Sequence, residues 1–279
     1  MKLSQETVKQ LQKKEFEILR EFDKAARKMG LPYTLSSGTL LGAVRHGGFI
    51  PWDDDADVAM LREDYERFLK EGQKYLPDYL FIQHYETDHN FPHNFIKLVD
   101  TRTFLVEHTT SKLDIKRGVF IDIFPIDRIP DNKVIRAIDR LMLAFIYFTK
   151  FSVTLQFKKK RHSRLRKIIG RILWPLGKAF GINRLNRWET HIKTKYNHHS
   201  EFEYTYGDNS IIIPTELKDT MILPIRIFHD LGEIEFEHHT FMALKDRDRY
   251  LKTLYGDNYM ELPPKEQRVC KHMFTELKL

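Results

Sequence analysis

A single cysteine in 279 residues, Cys270, excludes an intrachain disulfide and a cysteine-built zinc site. It fits a reducing compartment, so the expected location is cytoplasmic. No apolar run reaches the roughly 20 residues that a spanning helix needs. The strongest, "LMLAFIYFTKFSVTLQF" over 141–157, is interrupted by Lys150. The opening "MKLSQETVKQ" has no apolar stretch of the kind a secretory leader carries. Neither an internal repeat nor a low-complexity linker is present, so nothing marks a repeat architecture or a flexible tether.

What is present suits one large domain, or a core with an elaborated second lobe. Apolar residues make up 42% and charged residues 30%, enough for a sizeable core and too apolar for global disorder. The formal charge of +7 is uneven: Lys158 to Arg171 holds eight Lys and Arg and no acid. Such a stretch attracts anionic partners. Beside the apolar run it leaves two readings open. One is an interfacial helix at an anionic membrane surface, which would make the protein peripheral at the inner face of the cell membrane. The other is a buried helix followed by a solvated one. The basic run lacks interleaved stacking aromatics, so no specific nucleic-acid partner is expected.

Val8, Leu11, Ile18, Leu19, Phe22, Ala25 and Met29 fall near helical spacing, and Gly30 can end that helix. "PYTLSSGTLLGAVRHGG" reads as a short strand, a turn at Gly38, a short helix and a glycine loop. "DDADVAM" alternates like a half-buried strand, "REDYERFLKEGQKYL" is helical, and "FIKLVD" and "GVFIDIFPID" read as strands. Residues 133–200 look mostly helical. "IIIPTEL", "MILPIRIF" and "IEFEHHTFMAL" look extended, "DRDRYLKTLYG" is a helix ending at Gly256, and "ELPPKEQR" is a proline-stiffened loop. The implied class is α+β. The expected units are a catalytic core over 1–132, a basic helical insertion over 133–210, and a C-terminal part over 211–279 that completes the core.

The stretch "PWDDDADVAM" carries the chemistry. On a strand, Asp53, Asp55 and Asp57 share a face, with Asp54 and Ala56 on the other. Carboxylates this close repel one another, and a divalent cation removes the repulsion. All-oxygen ligands suit Mg²⁺ or Mn²⁺. A fully solvated acidic turn fits poorly beside Trp52, Val58 and Met60. A calcium loop fails because its sixth position is Val58 and its twelfth Asp64. The paired histidines, His198-His199 and His238-His239, lack the spacing of a zinc helix.

Gly38 and Thr39 follow a short strand, where a glycine lets the backbone approach a phosphate and the next residue offers a hydroxyl and an N–H. A Gly-Thr turn and then Asp-x-Asp on a strand is the arrangement of the nucleotidyltransferase fold. A third carboxylate then comes from a later strand, and Asp122 within "VFIDIFPID" is the best candidate, since an unpaired charge there is expensive. Its plainer reading is a buried Asp bonded to backbone or arginine. Asp127 reads as a turn or cap residue. Arg45, His46 and Lys97 are candidate phosphate contacts, with Arg102 weaker; surface ion pairing is their competing reading.

"SSGTLLGAVRHGGFIPWDDDADVAMLREDYERF" resembles the signature of the LicD family of phosphocholine transferases, related to fukutin and the fukutin-related protein. The resemblance continues through "KLVDTRTFLVE", "GVFIDIFPID" and "RYLKTLYGDNYMELPPKEQR", covering about residues 15–130 and 235–272. It implies a nucleotidyltransferase-like mixed sheet with surrounding helices, and transfer of a phospho-alcohol from a CDP-activated donor, CDP-choline or CDP-ribitol, to a sugar hydroxyl of a surface glycan or glycolipid. It further implies that Asp55 and Asp57 hold Mg²⁺ or Mn²⁺, with Asp53 and Asp122 as further ligands. Asp122 would help to deprotonate the acceptor. Tyr255, Gly256, Pro263 and Pro264 match the C-terminal motif without an assignable role. Two alternatives stand beside this: a nucleotidyltransferase that uses an NTP, and a non-catalytic protein that binds anionic polymers.

Overall fold

The computed structural model describes residues 3–154, 164–208, 214, 217–270 and 272–279, with only the backbone for 164–169. The chain opens with α1 (Gln5–Met29). Its apolar positions Val8, Leu11, Ile18, Leu19, Phe22, Ala25 and Ala26 bury one face. The Ser4 side chain accepts the Thr7 N–H at the start. Gly30, at φ 66°, ends the helix by donating its N–H to the Ala26 and Arg27 carbonyls. Three polar residues, Gln12, Glu15 and Asp23, also lie on the buried face. Gln12 donates to the carbonyls of Ile50 and Asp53 at 3.0 and 2.9 Å, so α1 clamps the loop that carries the aspartates.

The elements that follow are β1 (Thr34–Leu35), α2 (Ser37–His46), β2 (Asp57–Leu61), α3 (Arg62–Glu71), β3 (Leu80–Gln83), β4 (Ile96–Asp100), β5 (Phe104–Glu107), β6 (Val119–Ile126) and β7 (Arg128–Ile129). Three helices come next: α4 (Lys133–Thr154), α5 (Arg164–Phe180) and α6 (Ile182–Thr194). The chain ends with β8 (Tyr204–Thr205), β9 (Leu223–Pro224), β10 (Leu231–Phe236), β11 (His239–Leu244), α7 (Arg247–Tyr255) and β12 (Phe274–Lys278).

Five strands form one sheet in the order β1-β2-β6-β4-β3. Within it β2 and β6 run parallel, and the other neighbours pair antiparallel. This is the expected α+β class with a mixed sheet. The register of the parallel pair sets Asp57 beside Asp122, and the antiparallel β4 sets Lys97 on the other side of Asp122. Strand β6 is buried almost end to end, as its apolar run "VFIDIFPI" requires of a central strand. The main apolar core unites α1, this sheet, the β10–β11 hairpin and Phe274 of β12, which pairs with β5. The C-terminal stretch thus returns to the first half of the chain. Helices α4 and α6 share a smaller apolar cluster of Ile146, Leu185 and Ile192.

Several expectations meet a different structure. Gly38 lies in the first turn of α2, because the helix already begins at Ser37. "MILPIRIF" is extended only at Leu223–Pro224 and then tightens into a 3₁₀ turn over Ile225–Phe228. "IEFEHHTFMAL" folds back on itself as β10–β11, turning at Glu237 and His238 with φ of 50° and 60°. No Asn-Gly or Asp-Gly pair announces that turn. Most of "IIIPTEL" and residues 158–163 of the basic run lie outside the described residues.

Asp127 is no simple turn residue. Its carboxylate accepts Arg62 Nε and Nη2 at 2.8 and 2.6 Å, and Asn197 Nδ2 at 2.7 Å. Both Arg62 and Asp127 are buried, so the fork joins the start of α3 to the end of β6 and to the segment after α6. Removing one partner leaves a buried charge without compensation. Asp127→Ala is expected to cost about 3–5 kcal/mol in urea unfolding; a wild-type midpoint and slope would show that the pair contributes nothing net.

Candidate active site

The loop between α2 and β2 brings the aspartates to one place. Asp53, Asp55 and Asp57 line a cavity of about 660 Å³. Asp54 is buried and bonds His272, whose Nδ1 lies 3.1 Å from Asp54 Oδ1 and 3.7 Å from Asp55 Oδ2. The strand itself begins only at Asp57, although the Ala56 carbonyl already accepts the Asp122 N–H of β6 at 2.9 Å. Ser37, Gly38 and Arg45 of α2 form one wall. Trp52 lines the cavity, and Tyr255, Asn258, Tyr259, Pro263 and Pro264 form a further wall. The C-terminal motif without an assignable role is therefore part of the cavity.

Close packing explains the residues of α2. A Cβ on Gly38 would fall 2.5 Å from Asp53 Oδ2, so only glycine allows that carboxylate its position. Ser37 has φ 46°, a left-handed conformation that costs energy in a non-glycine residue. It is held there by its N–H bond to the Tyr250 hydroxyl at 2.9 Å and its Oγ contact with Asp208 at 2.6 Å. Tyr250 in turn donates to Asp208 at 2.7 Å. The Thr39 hydroxyl is buried and accepts the Asp57 N–H at 2.8 Å. It fixes the start of β2 to α2 and is not on the cavity wall.

Buried like charge dominates the electrostatics. Burial first, then Asp55, Asp122, Asp53 and Asp208, pushes the Asp57 carboxyl well above its usual range. Asp122 is pushed up to about 6, chiefly by burial, against the pull of Lys97. Glu15 of α1, which the sequence reading overlooked, is raised by burial and by Asp55, Asp54, Asp53 and Asp122. Tyr255 is 41% exposed, yet the crowding of protein around it and the charges of Asp208, Asp57, Asp53 and Asp55 raise its phenol, so it keeps its proton. For His272, burial works to lower the pKa, but the Asp54 hydrogen bond and the Asp55 and Asp54 charges lift it to about 9. It stands as an imidazolium beside the carboxylates. Ligand-type atoms of Asp54, Asp55 and His272 lie within 4.8 Å of one another.

The other expected residues divide. Arg45 lines the cavity, but its Nη1 is committed to the carbonyls of Tyr259 and Glu261 at 2.8 and 3.1 Å, which anchors the C-terminal wall to α2. His46 is exposed and meets the Trp52 ring edge-on at 6.2 Å, away from the cavity wall. Lys97 is buried between Asp122 and Glu107, 3.3 Å from each, with its ammonium 3.2 Å over the Phe120 ring. It neutralises those carboxylates instead of reaching a phosphate. Arg102 pairs with Asp100 and stacks on Tyr79 at 3.5 Å. Glu15, Asp208 and His272 are the charged residues that sequence reasoning missed. Only Glu15 left a trace, as a charge on the apolar face of α1.

A family model described as "LicD/FKTN/FKRP, nucleotidyltransferase domain" matches residues 30–138, which contain all four expected aspartates. Along 266 residues, 92% of each chain, the sequence is 29% identical to the lipopolysaccharide cholinephosphotransferase LicD of Haemophilus influenzae. Over these residues the chain is similar to the LicD family. A shorter match, 54% identical over 35 residues, is to the human ribitol 5-phosphate transferase FKRP, covering 12% of the chain and 7% of that protein. The region matched by the family model supplies α2, β2 and β6, while the 255–268 wall lies beyond it.

Asp57 offers a direct test of the crowding. Its folded pKa lies above its unfolded value, so its contribution to stability is full below pH 3.8 and is lost as pH rises through the folded pKa. Asp57→Asn, without added metal, is expected to melt at least about 2 °C above wild type at neutral pH, the size of shift that ~1 kcal/mol gives in a chain of this length. The gain should vanish toward pH 4. Equal melting temperatures across that range would mean that the Asp57 charge is not strained.

Proposed function

We propose that this protein transfers a phospho-alcohol, with phosphocholine the first candidate, from a CDP-activated donor to a sugar hydroxyl of a glycan or glycolipid. CMP is the leaving product, and the reading places the work in the cytoplasm. One observation carries the proposal: a chain similar over 92% of its length to a cholinephosphotransferase lines a single cavity with three aspartates and the first turn of a helix.

The residues fit a divalent cation. Four aspartates offer carboxylate oxygens, the chemistry that Mg²⁺ and Mn²⁺ prefer, and the ligand-type atoms already within 4.8 Å of one another are those of Asp54, Asp55 and His272. Asp122 Oδ1 is buried and has no hydrogen-bond partner among the described residues, although Lys97 stands at ion-pair distance. Asp57 is raised first by burial and then by the carboxylates of Asp55, Asp122, Asp53 and Asp208, a charge a cation would offset. Asp53, Asp55, Asp57 and Asp122 would hold the ion. Bound there, it would supply charge neutralisation at the pyrophosphate and polarisation of the acceptor hydroxyl.

The chain's own groups do the rest. Ser37 and Gly38 put the N-terminal turn of α2 on the cavity wall, where backbone N–H groups and the helix dipole favour a phosphate. Tyr255, held in its phenol form, donates to a phosphate oxygen. The acceptor oxygen attacks the distal phosphorus, the bond to CMP breaks, and Asp122, off the cavity wall but beside Asp57 in the strand register, takes the hydroxyl proton. A carboxyl near 6 suits that task better than an ordinary one. Trp52, Tyr255 and Tyr259 supply aromatic faces around the cavity, the surroundings a quaternary ammonium favours.

The test incubates the protein with Mg²⁺ or Mn²⁺, a panel of CDP-alcohols and an acceptor glycan, and measures CMP. Release from CDP-choline above the other donors is expected, and pyrophosphate release from an NTP would favour nucleotidyl transfer instead. Asp55→Ala and Asp57→Ala should each lower turnover more than about 100-fold while remaining folded, the scale of losing a group that stabilises developing charge. Turnover should also fall toward acid pH, as the carboxyls of Asp57 and Asp122, raised chiefly by burial, take up protons. In Asp122→Asn that acid limb should shrink to the part that Asp57 carries, with kcat low and the donor KM nearly unchanged.

A further inference from the structure

Helix α4 has two faces of different character. One packs inward: Arg136, Asp139, Ala144, Ile146, Thr149 and Lys150 are buried, with Lys150 bonded to Asn186, Glu189 and the Pro92 carbonyl. The other exposes Val134 (67%), Ile138 (51%), Leu141 (69%), Met142 (48%) and Phe145 (44%). The spacing i, i+4, i+7, i+8, i+11 puts all five on one stripe. An apolar stripe of this length on a helix is more than the scattered exposure that any surface shows. No helix among the described residues is long and apolar enough to cross a membrane.

Charge decides what the stripe meets. Residues 133–200 hold 17 Lys and Arg against two Asp and Glu, while the rest of the chain holds 29 against 37. The segment carrying the stripe is therefore strongly cationic on an otherwise acidic protein. Lys133, Arg171, Lys178, Arg184 and Arg187 are exposed on it. A second copy of the chain would bring like charge against like charge. A nucleic acid would satisfy the charge and leave the apolar stripe in water. An anionic bilayer satisfies both, taking apolar side chains at the acyl boundary and cations at the headgroups.

We infer that the exposed face of α4 is a docking surface for an anionic lipid bilayer, on which the helix lies flat. Over 141–154 the buried reading describes the inward face of the helix, the interfacial reading is what this inference assigns to the other, and 155–157 lie outside the described residues. The docking face begins earlier than that run, at Val134. The surface does not depend on the assigned transfer chemistry.

Vesicle flotation of the full chain tests this, with phosphatidylcholine vesicles containing or lacking phosphatidylglycerol. Wild type is expected to float with the anionic vesicles only, and less as salt rises. Ile138→Ser/Leu141→Ser/Phe145→Ser, all at exposed positions, should keep the wild-type melt and lose at least about tenfold in partitioning, equivalent to ~1.4 kcal/mol. Lys133→Glu/Arg171→Glu should lose binding at low salt while retaining the fold. Wild-type flotation of the triple variant would overturn the inference. So would a wild-type dimer in sedimentation that the triple substitution abolishes, with no vesicle binding in either protein.

Discussion

Glu15, Asp57 and Asp122 come from three separate segments, and each is pushed upward by burial and by neighbouring carboxylates. Repulsion among buried like charges opposes folding, so the surrounding structure must hold the groups together against it. The parallel β2–β6 pair fixes Asp57 beside Asp122 through the backbone ladder. Gln12 pins the loop from α1, and the Thr39 hydroxyl pins the Asp57 amide from α2. Gly38 leaves the room that Asp53 occupies. Much of what looks like ordinary packing around the cavity serves this one arrangement.

Two cations offset part of the repulsion without filling the cavity. Lys97 sits between Asp122 and Glu107 on the sheet, and the His272 imidazolium bonds Asp54. Both belong to the protein's own neutralisation, and His272 also stands 3.7 Å from Asp55, which lines the cavity with Asp53 and Asp57. The C-terminal stretch is needed for this. It supplies His272, the Tyr255–Pro264 wall and β12, which ties the wall back to β5. Arg45 completes the tie from α2 to the carbonyls of Tyr259 and Glu261.

The sequence revealed what depends on local pattern. The aspartates, the apolar strand around Asp122, the long amphipathic α1 and its glycine cap all follow from spacing and residue type. Lys97 and Thr39 were legible as functional-looking residues but not in their positions, because which partner a buried polar group finds is set by strand register across distant segments. Glu15, Asp208 and His272 were invisible for the same reason: Asp208 and His272 reach the acidic groups from 150 or more positions away, as the 171-residue separation of Ser37 and Asp208 illustrates. The β10–β11 turn escaped notice because Glu237 and His238 adopt positive φ without the usual glycine. Helix α4 was read as apolar, but which face would be covered is decided by α5 and α6, not by its own sequence.

The central claim is that the crowded carboxylates are built to be neutralised by a divalent cation. Titrating the purified chain with Mn²⁺ and following free Mn²⁺ by electron paramagnetic resonance, with no donor present, measures this most directly. Saturable binding at neutral pH is predicted, displaced by excess Mg²⁺ and weakening as pH falls below about 6, where Asp122 becomes protonated. Absence of saturable binding, or an affinity indifferent to pH across that range, would contradict the account.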